Sequence, residues 1–139
     1  MNIKERLPGL IVMGILALGL GVIASKFMGG SSSDSGVTVA VKLPELSAAA
    51  LQGKATFDAN CIPCHGPNAS GTDKGPPLVH NIYRPGHHAD GAFFLAVRQG
   101  VRKHHWPYGN MPPQPQVGQS DVPGIIQYVR ELQRANAIN

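Results

Sequence analysis

The chain has two cysteines, and both fall in one five-residue stretch, Cys61-Ile62-Pro63-Cys64-His65. Two thiols separated by two residues, with an imidazole directly after, form the attachment pattern of haem c. Each thiol can add across a haem vinyl group to give a thioether, and His65 then falls under the iron as an axial ligand. With two cysteines and six histidines scattered over 139 residues, chance would produce this arrangement on the order of once in a thousand chains. Other chemistries explain less. A structural zinc site needs four Cys/His ligands, commonly two pairs, and there is no second cysteine pair. A redox dithiol wants a βαβ setting that the flanking residues do not offer. A plain disulfide across two residues stays open, but gives His65 no part.

An iron with one histidine either takes a sixth ligand or keeps an open position, and the candidates are methionine, histidine or nothing. Met1, Met13 and Met28 lie in or beside an apolar N-terminal segment. Met111 is the remaining methionine, in Gly109-Asn110-Met111-Pro112, within a proline-rich loop stiff enough to hold a thioether in place. Two adjacent pairs, His87-His88 and His104-His105, also stand in loops. Adjacency alone does not make ligand geometry, so the plain reading is solvent-facing or satisfied loop histidines. The alternatives are a metal site, or His104 or His105 in place of Met111 at the iron. An iron closed by His65 and Met111 has no position for substrate. What remains is one-electron transfer by a carrier that is not an enzyme. An open iron would instead bind a small gas or peroxide.

These residues need a scaffold, and the pattern of the chain predicts an all-α domain around one covalent haem. Ser47 reads as the N-cap of a helix from Ala48 to about Asn60, with Leu51 and Phe57 on its apolar side and Gly53 admitting another backbone. The Gly-, Pro- and Asn-rich stretch 66–86 reads as loop. Asp90 can cap a helix over about 91–99, with Phe94, Leu95 and Val97 inward and Gly100 at its end. A second loop, 101–119, holds four prolines and the candidate sixth ligand. Ser120 can cap a last helix from Asp121 to about Asn136, with Pro123 in its first turn. On it Ile125, Ile126, Tyr128, Val129 and Leu132 form a wide apolar stripe.

Composition agrees with a buried prosthetic group. Aromatic residues are 6% and charged residues 14%, both low for a soluble domain. So short a chain has difficulty filling a core, and haem supplies apolar volume. The formal net charge is +4; from Gly29 onward nine Lys/Arg face seven Asp/Glu, leaving +2. No basic stripe interleaved with aromatics suggests nucleic acid.

Residues 1–28 read as an N-terminal membrane anchor. Leu7 to Ser25 is a run of 19 uncharged, mostly apolar residues, which as a helix would be about 28 Å long, close to the hydrocarbon thickness. Lys4 and Arg6 before it put the N-terminus in the cytoplasm. The domain then lies in the periplasm of a bacterial inner membrane, an oxidising space. The alternative is a cleaved signal peptide, but Lys26, Phe27 and Met28 stand where small residues should precede a cut. Residues 29–43, opening with Gly29-Gly30-Ser31-Ser32-Ser33, read as a flexible linker. The domain proper is expected over 44–139.

From about Pro44 to Leu132 the chain resembles the class I (monohaem) c-type cytochromes. The family's Gly-x-x-x-aromatic is matched by Gly53 and Phe57, its haem motif by Cys61, Cys64 and His65, and its Gly-Pro-x-Leu by Gly75, Pro76, Pro77 and Leu78. Arg98 and Gly100 match its Arg-x-Gly, Gly109, Met111 and Pro112 its ligand loop, and Tyr128 the aromatic where the last helix crosses the first. The resemblance implies His65 and Met111 as axial ligands and a Pro76 carbonyl accepting from the His65 Nδ1–H. It also implies that Leu78, Arg98 and Trp106 support the haem, Trp106 by donating to a propionate, with ordinary loop packing as its alternative. By charge and hydrogen-bonding type Arg98, Arg84 and Tyr83 are further propionate candidates, with a surface or packing role as the alternative for each. The implied role is electron transfer in a respiratory or photosynthetic chain. Donors would be a quinol-oxidising complex or a dehydrogenase, and acceptors a terminal oxidase or a reaction centre. A fixed haem subunit of a larger membrane oxidoreductase is the other arrangement. The loop around His104-His105-Trp106 is longer than the minimal family pattern needs.

Overall fold

A computed structural model describes residues 36–139. The expected membrane anchor over Leu7–Ser25 and the glycine-serine run after it lie outside the described residues. Helix α1, Ala48–Asn60, begins where Ser47 turns extended and its side-chain oxygen accepts from the Ala50 N–H at 3.2 Å. The same Ser47 donates through its hydroxyl and its backbone N–H to the Glu131 carboxylate, at 2.7 and 3.0 Å. Gln127 adds a third donor, at 2.7 Å. Slight burial pushes the Glu131 carboxyl up, but the hydrogen bonds from Ser47 and Gln127 prevail and hold it below the usual carboxylate range. One cap therefore starts α1 and fastens it to the last helix.

That last helix, α4, spans Val122–Ala135, and its apolar stripe is the core. Ile125, Ile126, Tyr128, Val129 and Leu132 are all buried, together with Ala50 and Phe57 of α1. The two helices cross glycine on glycine. A Cβ at Gly53 would overlap the Gly124 carbonyl group, so backbone meets backbone there. Tyr128 packs one turn further along, edge-on to Phe57 at 5.5 Å between ring centroids. The crossing glycine of α1 thus faces Gly124, and the aromatic of α4 locks onto Phe57 beside it.

Between them lie α2, Ile62–His65, a one-turn helix within the haem motif, and α3, Asp90–Gln99, with 3-10 turns at Pro67–Ala69 and Asn81–Tyr83. Among the described residues there is no strand, only one antiparallel bridge between Val101 and Met111. No described helix is long and apolar enough to cross a membrane.

Several expectations are corrected. Leu51 is 54% exposed, because the interior face of α1 is set by Ala50, Gly53 and Phe57; on α3 Val97 is buried, while Leu95, 52% exposed, faces a cavity rather than the packed core. Ser120 does not cap α4: the helix begins after Asp121 with no side-chain cap, in a turn closed by Asp121 N–H to Gly118 O at 2.9 Å. Asp90 is the first residue of α3, not its cap, and its carboxylate accepts from Arg130 Nε at 2.8 Å. Within the stretch read as linker, residues 36–43 run extended along the domain. Val39 donates to Ser70 O at 2.9 Å, Lys42 exchanges two hydrogen bonds with the Asn136 side chain, and Val37 donates to the Tyr108 hydroxyl. Val39 and Val41 pack on the core, so this strap belongs to the same compact unit as the helices.

Candidate haem site

The final turn of α1 leads directly into the motif. Cys61 donates its N–H to Phe57 O at 2.7 Å, and His65 donates to Cys61 O at 2.8 Å, so α2 continues the turn and carries Cys64 and His65. Both thiols are free, Cys61 partly buried and Cys64 exposed. Burial, then the neighbouring Cys64 and Asp58, push the Cys61 thiol up to about 11.

The His65 ring is fixed by the chain after it. Gly66 (φ 71) turns the backbone, and Asn68 and Ala69 follow in the left-handed region at φ 56 and 57, where Ala69 carries a real steric cost. The turn is held because Ala69 O accepts from Leu78 and Val79 at 2.9 and 3.3 Å, and the Tyr128 hydroxyl donates to Asn68 Oδ1 at 3.3 Å. It brings Pro76 O to 2.9 Å from His65 Nδ1. A carbonyl can only accept, so Nδ1 carries the proton and Nε2 is left with its lone pair for a metal. Burial pushes the His65 imidazole down, against the opposing effect of the Pro76 bond. A neutral imidazole is the ligand form.

Met111 is set from the other side. Val101 and Met111 exchange both backbone hydrogen bonds, at 2.9 and 3.0 Å. Gly100 ends α3 at φ 72, where a Cβ would meet the Met111 carbonyl. His65 and Met111 line one cavity of about 470 Å³ with Phe57, Leu78, Phe93 and Trp106. That volume lies within the usual range for small-molecule and cofactor sites. Cys61 also lines this cavity, and an adjoining cleft of about 150 Å³ shares Cys61, His65 and Met111 with it and adds Cys64.

Trp106 stands edge-on to His80 at 5.1 Å, and its indole Nε1 is buried without a hydrogen-bond partner. A buried donor left unpaired costs stability and calls for an acceptor. The Tyr83 phenol, also lining the cavity, is pushed up to about 12 by its burial, against the influence of the neighbouring indole. Arg98, expected in the pocket, is exposed and does not line it; α3 contributes Ala92, Phe93, Leu95, Ala96 and Val97 to the cavity instead. Arg84 is exposed too and turns back on Asn81 O at 3.1 Å.

Sequence reasoning missed Arg130 and Gln133. Both are buried on α4 at 6% and 0% exposure. Arg130 donates to Tyr83 O at 2.8 Å, His88 O at 2.5 Å and Gln133 Oε1 at 2.6 Å, and Gln133 donates to Leu78 O at 2.8 Å and Tyr83 O at 3.0 Å. They hold the loop that forms one wall of the cavity. The available signal was their spacing: positions 130 and 133 continue the apolar stripe set by 126 and 129.

The residues fit haem on three counts. A cavity of suitable size holds a neutral imidazole with a free Nε2, two free thiols line it or its adjoining cleft, and Trp106, whose buried indole Nε1 has no hydrogen-bond partner, is among its lining residues. Fold and site together define a small helical haem protein. The cytochrome c family model matches residues 50–133, and the chain belongs to the cytochrome c family. Its cofactor is covalently attached haem c, and its chemistry is haem-based electron transfer. No curated protein matches the chain.

Proposed function

We infer that this is a monohaem electron carrier, not an enzyme, with His65 and Met111 as the two axial ligands and Cys61 and Cys64 as the thioether partners. The observation that carries the reading is that His65 and Met111 line one cavity while each is pinned by its own backbone device. The bound haem supplies a one-electron couple. His65 contributes an oriented nitrogen whose basicity is raised by the Pro76 carbonyl. Met111 contributes a thioether that favours the ferrous state and raises the potential relative to two histidines. Phe57, Leu78 and Phe93 exclude water from the interior. Trp106 offers its indole N–H to an anionic edge of the group, which a haem propionate would provide.

The run Leu7–Ser25 is proposed as a retained membrane anchor with the domain on the periplasmic side. Tethering raises the effective concentration of the carrier near membrane-bound partners. Those partners would be a quinol-oxidising complex or dehydrogenase as donor, and a terminal oxidase or photosynthetic reaction centre as acceptor. The test is carbon monoxide added to reduced, full-length holoprotein in washed membranes. A closed iron leaves the spectrum unchanged, and the haem stays with the membranes. Carbon monoxide binding without denaturant would favour an open iron that binds small gases. Haem in the soluble fraction would argue for a cleaved leader.

A further inference from the structure

The two histidine pairs, separate in sequence, come together in space. His87 and His88 close the loop held by Arg130, and His104 and His105 lie in the excursion closed by the Val101–Met111 bridge. One ring nitrogen from each of His87, His88 and His105 lies within 4.8 Å of the others. His87 Nε2 and His105 Nε2 are 3.2 Å apart. Two imidazole nitrogens bound to one tetrahedral ion at the usual Zn–N length of about 2.0–2.1 Å stand roughly 3.3 Å from each other. The observed pair already has that spacing.

The surroundings prepare the rings as ligands. His88 Nδ1 lies 2.7 Å from Ile82 O and His104 Nδ1 lies 2.8 Å from Arg102 O. Since a carbonyl only accepts, each Nδ1 donates and each Nε2 keeps a free lone pair. An imidazole donating to a carbonyl through its other nitrogen is the usual arrangement of a metal-bound histidine. Arg130 donates to His88 O at 2.5 Å and so fixes the backbone under that ring. His104 stands 4.2 Å from His105, ring to ring, and stacks on His88 at 5.9 Å. No carboxylate belongs to the group.

We propose that His87, His88 and His105 form a binding site for a borderline divalent transition cation, Zn²⁺ or Cu²⁺, with His104 or water completing the coordination. An all-imidazole donor set suits these ions and not the oxygen-seeking Mg²⁺ or Ca²⁺. Bound there, the ion joins the loop held by Arg130 to the loop that carries Met111. His88 and His105 also line the haem cavity, so the site stands at its rim, distinct from the thiols and from His65.

The test is calorimetric titration of untagged, full-length holoprotein with Zn²⁺, alongside His87→Ala and His105→Ala. The expected result is one ion per chain, bound about tenfold or more weaker in each variant, since even the supporting partners of metal ligands contribute 10–100-fold. In parallel, Cu²⁺ bound to the wild type should show electron-paramagnetic coupling to several imidazole nitrogens. That readout needs no variant and stands if a variant fails to fold. Absence of stoichiometric binding, equal affinity in the variants, or Cu²⁺ without nitrogen coupling would overturn the proposal. So would a change of haem ligation in metal-free His105→Ala, because the ring would then belong to the haem iron.

Discussion

His65 is constrained twice, by the turn that carries it out of α2 and by the Pro76 carbonyl 2.9 Å from its Nδ1. The cysteines are constrained only by the backbone, so attachment depends on two independent thioethers. Cys61→Ala should leave at most one thioether and a sharply reduced yield of covalent holoprotein, read from haem staining after denaturing electrophoresis. Normal yield would contradict the attachment scheme. At this scale the sequence was most legible where chemistry demands fixed spacing. Cys61, Cys64 and His65 are adjacent along the chain, and a carbonyl such as that of Pro76 needs only its place in the loop. Arg98 illustrates the opposite case. Its charge suited a propionate, but its direction depends on which face of α3 is turned inward, and that face is fixed by Phe93, Ala96 and Val97. Arg130 escaped notice because a charged residue on an apolar stripe looks like the edge of the stripe until its four acceptors are in place.

At the scale of elements, the α1–α4 crossing carries the scaffold. Gly53→Ala should destabilise by about 3 kcal/mol, the upper end of overpacking costs, because its Cβ would meet the Gly124 backbone, which cannot swing aside. Gly91→Ala is the matched control: nothing lies within 4 Å of the Cβ position, so a gain of up to about 1 kcal/mol is expected from helix propensity. Denaturant melts of both holoproteins check the pair, and equal effects would refute the crossing. The helices were legible from capping and period. Ser47 was correctly placed as a cap because a serine precedes an apolar pattern and its oxygen reaches the Ala50 N–H. Ser120 carried the same signal, but the Gly118 turn delays the start of α4 to Val122. Gly53 was legible as the point of backbone approach, but Leu51 was not legible as exposed, because the size of a leucine outweighs that of Ala50, whose smallness fits it to the buried face.

Across the whole domain, the loop held by α4 and the Met111 loop both wall the cavity, and the strap 36–43 is tied to the second of them by the Val37 N–H donating to Tyr108. The strap was not legible, because weak alternation beside glycine and serine reads as linker, and its stability comes from hydrogen bonds to distant residues. Burial couples the domain to alkaline pH. It is the main cause that raises the Tyr83 and Tyr128 phenols from 10.0 to about 12. In the folded chain these groups keep protons that the unfolded chain has released. Their contribution is therefore fully present below about pH 10 and lost as the pH rises toward about 12. Tyr128→Phe should flatten that loss in melts taken across the window, and an unchanged slope would exclude Tyr128 as a source. The central claim is a haem closed by His65 and Met111. It is tested most directly by the oxidised visible spectrum and midpoint potential of the holoprotein and of Met111→Ala. The account requires the weak far-red sulfur-to-iron band in the wild type and its loss in the variant. It also requires a potential lower by on the order of 0.1 V or more, within the roughly 0.8 V that axial ligands command. An unchanged band and potential would contradict it and move the sixth position to another group.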